Sequence, residues 1–217
     1  MGNAEAVEVS FLLQKGLHLS DGREYSTAIA CYDRLLEIQP TCTDAWYNRG
    51  NAVYALGHYE AAISSYDLAL ALEPGFSEAW NNRGNALDDL HRYLEAIQSY
   101  DKALQYCPSY AEAWHNRALT LTHLGRLEDA IASYDQALEF EPDYDLAWYN
   151  KALALFRLER MDKAIFCLDK VLQQQPCLAE AWIHRGNALY ALGLENEARA
   201  NHRRAQSLSP DPIDLSW

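Results

Sequence analysis

The stretch AWYNRGNAVYALG at residues 45–57 returns as AWNNRGNALDDLH at 79–91 and as AWIHRGNALYALG at 181–193. Its Trp is the marker of a period. Trp46, Trp80, Trp114, Trp148 and Trp182 are 34 residues apart, and so are Pro40, Pro74, Pro108, Pro142, Pro176 and Pro210. Two residue types on one comb point to a repeat architecture before any single residue is interpreted.

With Trp at position 4, six units follow at 9–42, 43–76, 77–110, 111–144, 145–178 and 179–212. Residues 1–8 form a leader, and 213–217 form a short tail whose Trp217 either folds back over the last helix or stays loose. Position 8 is Gly or Ala in every unit, and position 20 is always Ala, which lets helices approach closely. Positions 4, 8 and 11 share one side of a first helix, and 17, 20, 21, 24 and 28 share one side of a second. Gly57, Gly125 and Gly193 mark the turn between the two, and the Pro at position 32 ends the second helix. Each unit therefore reads as a helix–turn–helix hairpin that buries its apolar faces by stacking on its neighbours.

This pattern of Trp, small residue, Ala, Tyr and Pro over 9–212 resembles the tetratricopeptide repeat family. The resemblance implies an all-α, right-handed superhelical solenoid whose first helices line a concave groove, and a role in binding other proteins. Unit one departs with Leu12 in place of Trp, and unit five with Leu168 and Val171 where Tyr and Ala prevail.

Charge repeats as well. Position 7 is Lys15, Arg49, Arg83, Arg117, Lys151 and Arg185, while position 25 is Asp33, Asp67, Asp101, Asp135 and Asp169 but Arg203 in the last unit. The Asp disappears where no further unit follows. Ion pairs Asp33–Arg49, Asp67–Arg83, Asp101–Arg117, Asp135–Lys151 and Asp169–Arg185 are expected, setting register more than stability. Arg199, His202 and Gln206 at positions 21, 24 and 28 are expected to make the outer face of the last unit polar, as a terminal cap requires.

On a helical wheel with Trp at 0°, position 6 falls near 200° and position 9 near 140°, away from the core. Position 6 holds Gln14, Asn48, Asn82, Asn116, Asn150 and His184, and position 9 adds Asn51, Asn85 and Asn187. Asn is a mediocre helix former, so a mid-helix row of it asks for a use. Its amide can pair with the backbone of an extended peptide, unless these Asn are repeat decoration or hydrogen-bond the neighbouring helix. The row is similar to the asparagine ladder in the repeat superhelix of the O-linked N-acetylglucosamine transferases, which implies peptide binding by Asn48, Asn82, Asn116 and Asn150. Asp44, Glu78, Glu112, Asp88 and Asp89 make the early groove acidic, with Tyr47 beside them. Leu119, Tyr149, Leu153, Phe156, Ile183 and Tyr190 make the later part apolar, unless these side chains pack between repeats. The expected partner is an extended segment, neutral to basic, with apolar anchors. The Lys/Arg clamp of chaperone-tail binders is absent from positions 2, 5, 6 and 9.

The net charge of −13 disfavours nucleic acid and anionic membrane as partners. No apolar run approaches the ~20 residues of a membrane span. Cys31, Cys42, Cys107, Cys167 and Cys177 form no C-x-x-C pair and read as thiols of a reducing, cytoplasmic compartment. The sequence carries no phosphate loop, metal set or catalytic constellation, so no enzyme activity and no cofactor are expected. Two other readings fit: an assembly module working by self-association or its acidic convex face, and a substrate-selecting arm of a larger enzyme.

Overall fold

The computed structural model describes residues 3–208, which form twelve helices and no strand among them. In chain order these are α1 (Asn3–Asp21), α2 (Tyr25–Ile38), α3 (Thr43–Ala55), α4 (Tyr59–Leu72), α5 (Ser77–Asp89) and α6 (Tyr93–Tyr106), then α7 (Ala111–His123), α8 (Leu127–Phe140), α9 (Asp145–Arg157), α10 (Met161–Gln174), α11 (Ala179–Ala191) and α12 (Glu195–Leu208). Helix α1 takes in most of the eight residues ahead of the first repeat. The tail 213–217, and with it the expected folding back of Trp217, lies outside the described residues. The chain divides into two compact units, Met1–Asn116 and Arg117–Trp217.

In the first unit α3 packs on α4, α4 on α5, and α3 also reaches α5, so each hairpin rests on the next in chain order. In the second, α9, α10 and α11 repeat that arrangement. The contact is close because position 3 is Ala: Ala45, Ala79, Ala113, Ala147 and Ala181 are wholly buried. The two sequence combs meet physically. The indole Nε1 of Trp46 donates to the carbonyl of Pro40 at 2.9 Å, and the bond recurs at Trp80–Pro74, Trp114–Pro108, Trp148–Pro142 and Trp182–Pro176. The proline ends one helix, and the tryptophan six residues on fastens the loop that follows.

Position 8 makes room for the side chain at position 24 of the same hairpin. A Cβ built on Gly50 would stand 2.5 Å from the Tyr66 ring, and Gly16–Tyr32 and Gly84–Tyr100 are as tight. His202 occupies the same place against Gly186 and is only 2% exposed. This corrects its expected part in a polar end face. Position 24 points into its own hairpin, leaving Arg199 and Gln206 exposed.

The expected ion pairs whose members share a unit are formed. Arg49 Nε donates to Asp33 Oδ1 and Arg83 Nε to Asp67 Oδ1, both at 2.6 Å, Arg185 Nε to Asp169 Oδ1 at 2.7 Å, and Lys151 pairs with Asp135. Asp101 and Arg117 belong to different units. Each guanidinium has a second arm. Arg49, Arg83 and Arg117 donate through Nη1 to Ser65, Ser99 and Ser133 at 2.6–2.8 Å, and Arg185 to Asn201 at 3.0 Å. The two repeats that carry Lys, one and five, have Cys31 and Cys167 where the others have Ser or Asn. The planar guanidinium holds its donors in a fixed fork that reaches both the Asp and the residue at position 23, a geometry an ammonium does not impose.

Candidate functional site

The candidate site follows the first helix of each hairpin. In the first unit its amides are joined to one another. Asn82 Nδ2 donates to the Tyr47 hydroxyl at 3.1 Å and to Asn51 Oδ1 at 3.0 Å, and Asn82 Oδ1 accepts from Asn81 Nδ2 at 3.3 Å. Asn116 Nδ2 donates to Asn81 Oδ1 at 3.1 Å, and Asn81 reaches Glu112 Oε1 at 3.4 Å. Asn48 donates to the Asp44 carbonyl one turn back. Asn81, at a position that carries no periodic residue, is fully buried and links neighbouring repeats. Both amide hydrogens of Asn82 are engaged within the protein, so its contribution to the face is to hold α5 against α3.

Asn51, Asn85 and Asn187 point elsewhere than the wheel suggests. Asn51 Oδ1 accepts from the Tyr66 hydroxyl and Asn85 Oδ1 from the Tyr100 hydroxyl, each at 2.9 Å, while Asn187 Oδ1 meets His202 Nε2 at 3.0 Å. These side chains turn inward because a buried hydroxyl or imidazole without a partner costs about 1–3 kcal/mol. In repeat one, where position 9 is Leu17, position 12 takes over: Ser20 meets the Tyr32 hydroxyl at 3.3 Å.

Carboxylates dominate what the first unit exposes along this face. Asp44, Glu78, Asp89 and Glu112 are exposed, and none has a cationic partner among the described residues. Asp88 is half-buried. The Tyr54 hydroxyl donates to Asp89 Oδ2 at 2.5 Å, and burial together with that carboxylate pushes its pKa well above the usual phenol value.

The second unit is apolar along the corresponding helices. Leu119, Leu153, Phe156 and Ile183 are half-buried, Leu146 is 54% exposed and Tyr190 49%. Tyr149 and Phe156 rest on the cluster of Ala152, Leu155, Leu168 and Val171, so both are partly core. Tyr149 meets His184 edge-on with ring centroids 5.8 Å apart. Burial lowers the His184 pKa against the pull of Glu180. Asn150 is half-buried in α9. Gln14, at the head of the row, is exposed.

Reactive groups do not gather here. Burial pushes the Cys167 thiol up to about 11, and burial also lowers the His115 pKa, opposed by its bond to Asn116. Among the described residues no three His, Cys, Asp or Glu side chains stand close enough to hold a metal ion, and no helix is long and apolar enough to cross a membrane.

Comparison with known proteins gives a consistent result. Models of the tetratricopeptide repeat match residues 14–83, 77–110, 99–132, 146–176 and 179–212, and a further TPR repeat model matches 118–159. No curated protein matches the sequence. Among solved structures, PilW, described as a widely conserved type IV pilus biogenesis factor, is 23% identical over 99% of this chain and 98% of its own, with a TM-score of 0.81. PilF of Pseudomonas aeruginosa is 19% identical over 97% and 96%, with a TM-score of 0.81. YrrB, described as a TPR protein with an unusual peptide-binding site, is 21% identical over 83% and 93%, with a TM-score of 0.72. At these identities the likeness is one of fold. The repeat comb, the hairpins stacked in order and the matches spread along the sequence agree: the chain belongs to the tetratricopeptide repeat family.

Proposed function

We propose that the protein is a non-enzymatic interaction scaffold that holds an extended, neutral-to-basic segment of a partner protein along its first helices. The carrying observation is a contrast in charge compensation. The position 25 aspartates Asp33, Asp67, Asp135 and Asp169 each have an Arg or Lys partner, whereas the exposed Asp44, Glu78, Asp89 and Glu112 have no cation among the described residues. Unscreened carboxylates in a row attract Lys and Arg and set the partner's register. The amide network of Asn51, Asn81, Asn82 and Asn116 fixes the helices that present them, and the half-exposed Tyr149, Ile183 and Tyr190 supply apolar anchors. YrrB, which shares the fold, is described as having an unusual peptide-binding site, and this supports the reading. The free thiols, one of them on the exposed Cys177, suit a reducing compartment such as the cytoplasm.

The test is affinity capture with two variants of equal net charge. One carries Asp44→Asn, Glu78→Gln, Asp89→Asn and Glu112→Gln. The other neutralises Glu24, Glu37, Glu60 and Glu139 on or beside the second helices. Loss of the captured partner with the first set, retention with the second and unchanged helicity in both is the expected outcome. Equal capture by both variants refutes the proposal.

A further inference from the structure

The last residue of each repeat leads into the next first helix. At this place stand Cys42, Phe76, Tyr110, Tyr144 and Leu178. In repeat two Phe76 covers Tyr47, with ring centroids 4.6 Å apart at an interplanar angle of 43°. Repeat five has a tyrosine at the matching position, Tyr149, but Leu178 in the place of the phenylalanine. Beside Tyr149 opens a cavity of about 310 Å³ walled by Leu146, Tyr149, Val171 and Leu178. A benzene-sized guest needs roughly 150 Å³. Asp145 and Glu180 also line the cavity. Asp145 accepts from the Leu146 amide at 2.7 Å and from Gln175, and neither carboxylate has a cationic partner among the described residues.

We infer that this cavity receives an aromatic side chain of a bound peptide, and that Asp145 and Glu180 hold a Lys or Arg adjacent to it in the peptide. The protein supplies its own precedent for the ring in Phe76, which occupies the matching place in repeat two. The charge argues for the flanking residue, because two carboxylates with no cationic partner among the described residues, set at an apolar mouth, repel an acidic neighbour and attract a basic one. The inference rests on the scaffold reading above and adds the identity of the anchor.

The probe is acetyl-Gly-Lys-Phe-Lys-Gly-amide, titrated at low salt into the full chain labelled with ¹⁵N. Saturable shifts are expected in the amides of 145–149, 175 and 177–180. Replacing Phe with Ala in the peptide, or both Lys with Glu, weakens binding about tenfold. Leu178→Phe, which copies repeat two, closes the cavity and weakens binding about tenfold while the thermal melt stays in place. Glu180→Gln weakens the Lys peptide about threefold and leaves a Gln-Phe-Gln peptide unaffected. Absence of saturation, equal binding of the Ala peptide, or indifference to Leu178→Phe overturns the inference. So does a concentration-dependent dimer that Leu178→Phe abolishes, since a second copy is then the occupant. If this peptide fails while partner capture still depends on the first-unit carboxylates, the cavity assignment falls and the scaffold stands.

Discussion

Repeats two and five use the same hairpin with opposite chemistry inside it. Repeat two joins its helices through polar groups: Gly50 admits the Tyr66 ring, Asn51 accepts from its hydroxyl, and the Arg49 fork ties Asp33 to Ser65. Repeat five replaces that whole set. Ala152, Leu155, Phe156, Leu168 and Val171 make an apolar interior, Lys151 pairs with Asp135, and Cys167 stands in for the serine. The swaps are coupled because each polar group in repeat two needs the next. A tyrosine hydroxyl in the core requires an acceptor, and the acceptor has no use once position 24 is Leu. Two self-consistent interiors thus fit one backbone, while a mixture leaves a buried group unmatched.

The sharpest way to break this comparison is to mix the sets. Asn51→Leu deprives Tyr66 of its acceptor and frees an Asn82 donor, so it should cost about 2 kcal/mol in urea unfolding. The triple change Gly50→Ala, Asn51→Leu, Tyr66→Leu copies repeat five and should cost less than the single change does alone. Additive losses across the three positions would show that the sets are not coupled. Next in size is Arg49→Lys. It keeps the pair with Asp33, as Lys151 does with Asp135, but drops the bond to Ser65, for a loss of about 1 kcal/mol. The reverse change Lys151→Arg with Cys167→Ser should gain a bond that Lys151→Arg alone does not, measurable as a double-mutant coupling.

Much of the fold was legible because it is written several times over. The Trp and Pro combs gave the hairpins, and the one missing Asp, at Arg203, revealed the pairing with position 7. The direction of the position 9 amides was not legible from a helical wheel. A wheel orders angles around one axis and is blind to a ring reaching across from the partner helix. The signal lay in co-occurrence between repeats: Asn51, Asn85 and Asn187 accompany Tyr66, Tyr100 and His202, while Leu153 accompanies Leu168, which has no hydroxyl to satisfy. Asn81 was missed for the same reason, since one copy among Leu13, Tyr47, His115, Tyr149 and Ile183 carries no period. The cavity of repeat five hung on a single difference, Leu178 against Phe76, at a position between two helices that no periodic residue marks.

The smallest effect concerns the turn, where the two repeats also part. Position 15 takes a left-handed backbone in all six hairpins. Gly57, Gly125 and Gly193 adopt it at φ 73–78°, while Arg23, His91 and Glu159 adopt it at φ 57–60°. A residue with a Cβ stores roughly 1–2 kcal/mol in that conformation. Glycine removes the strain but gives the unfolded chain more freedom, worth about 0.4–1 kcal/mol. Glu159→Gly should therefore raise stability by about 0.5 kcal/mol, and Gly57→Ala should lower it by a similar or larger amount. Nothing lies within 4 Å of a Cβ at Gly57, so its change reads backbone strain without a packing term. If Gly57→Ala is harmless while Glu159→Gly destabilises, the Glu159 side chain makes up for its backbone, and the turn belongs with the interiors as a place where each repeat must be read as a matched set.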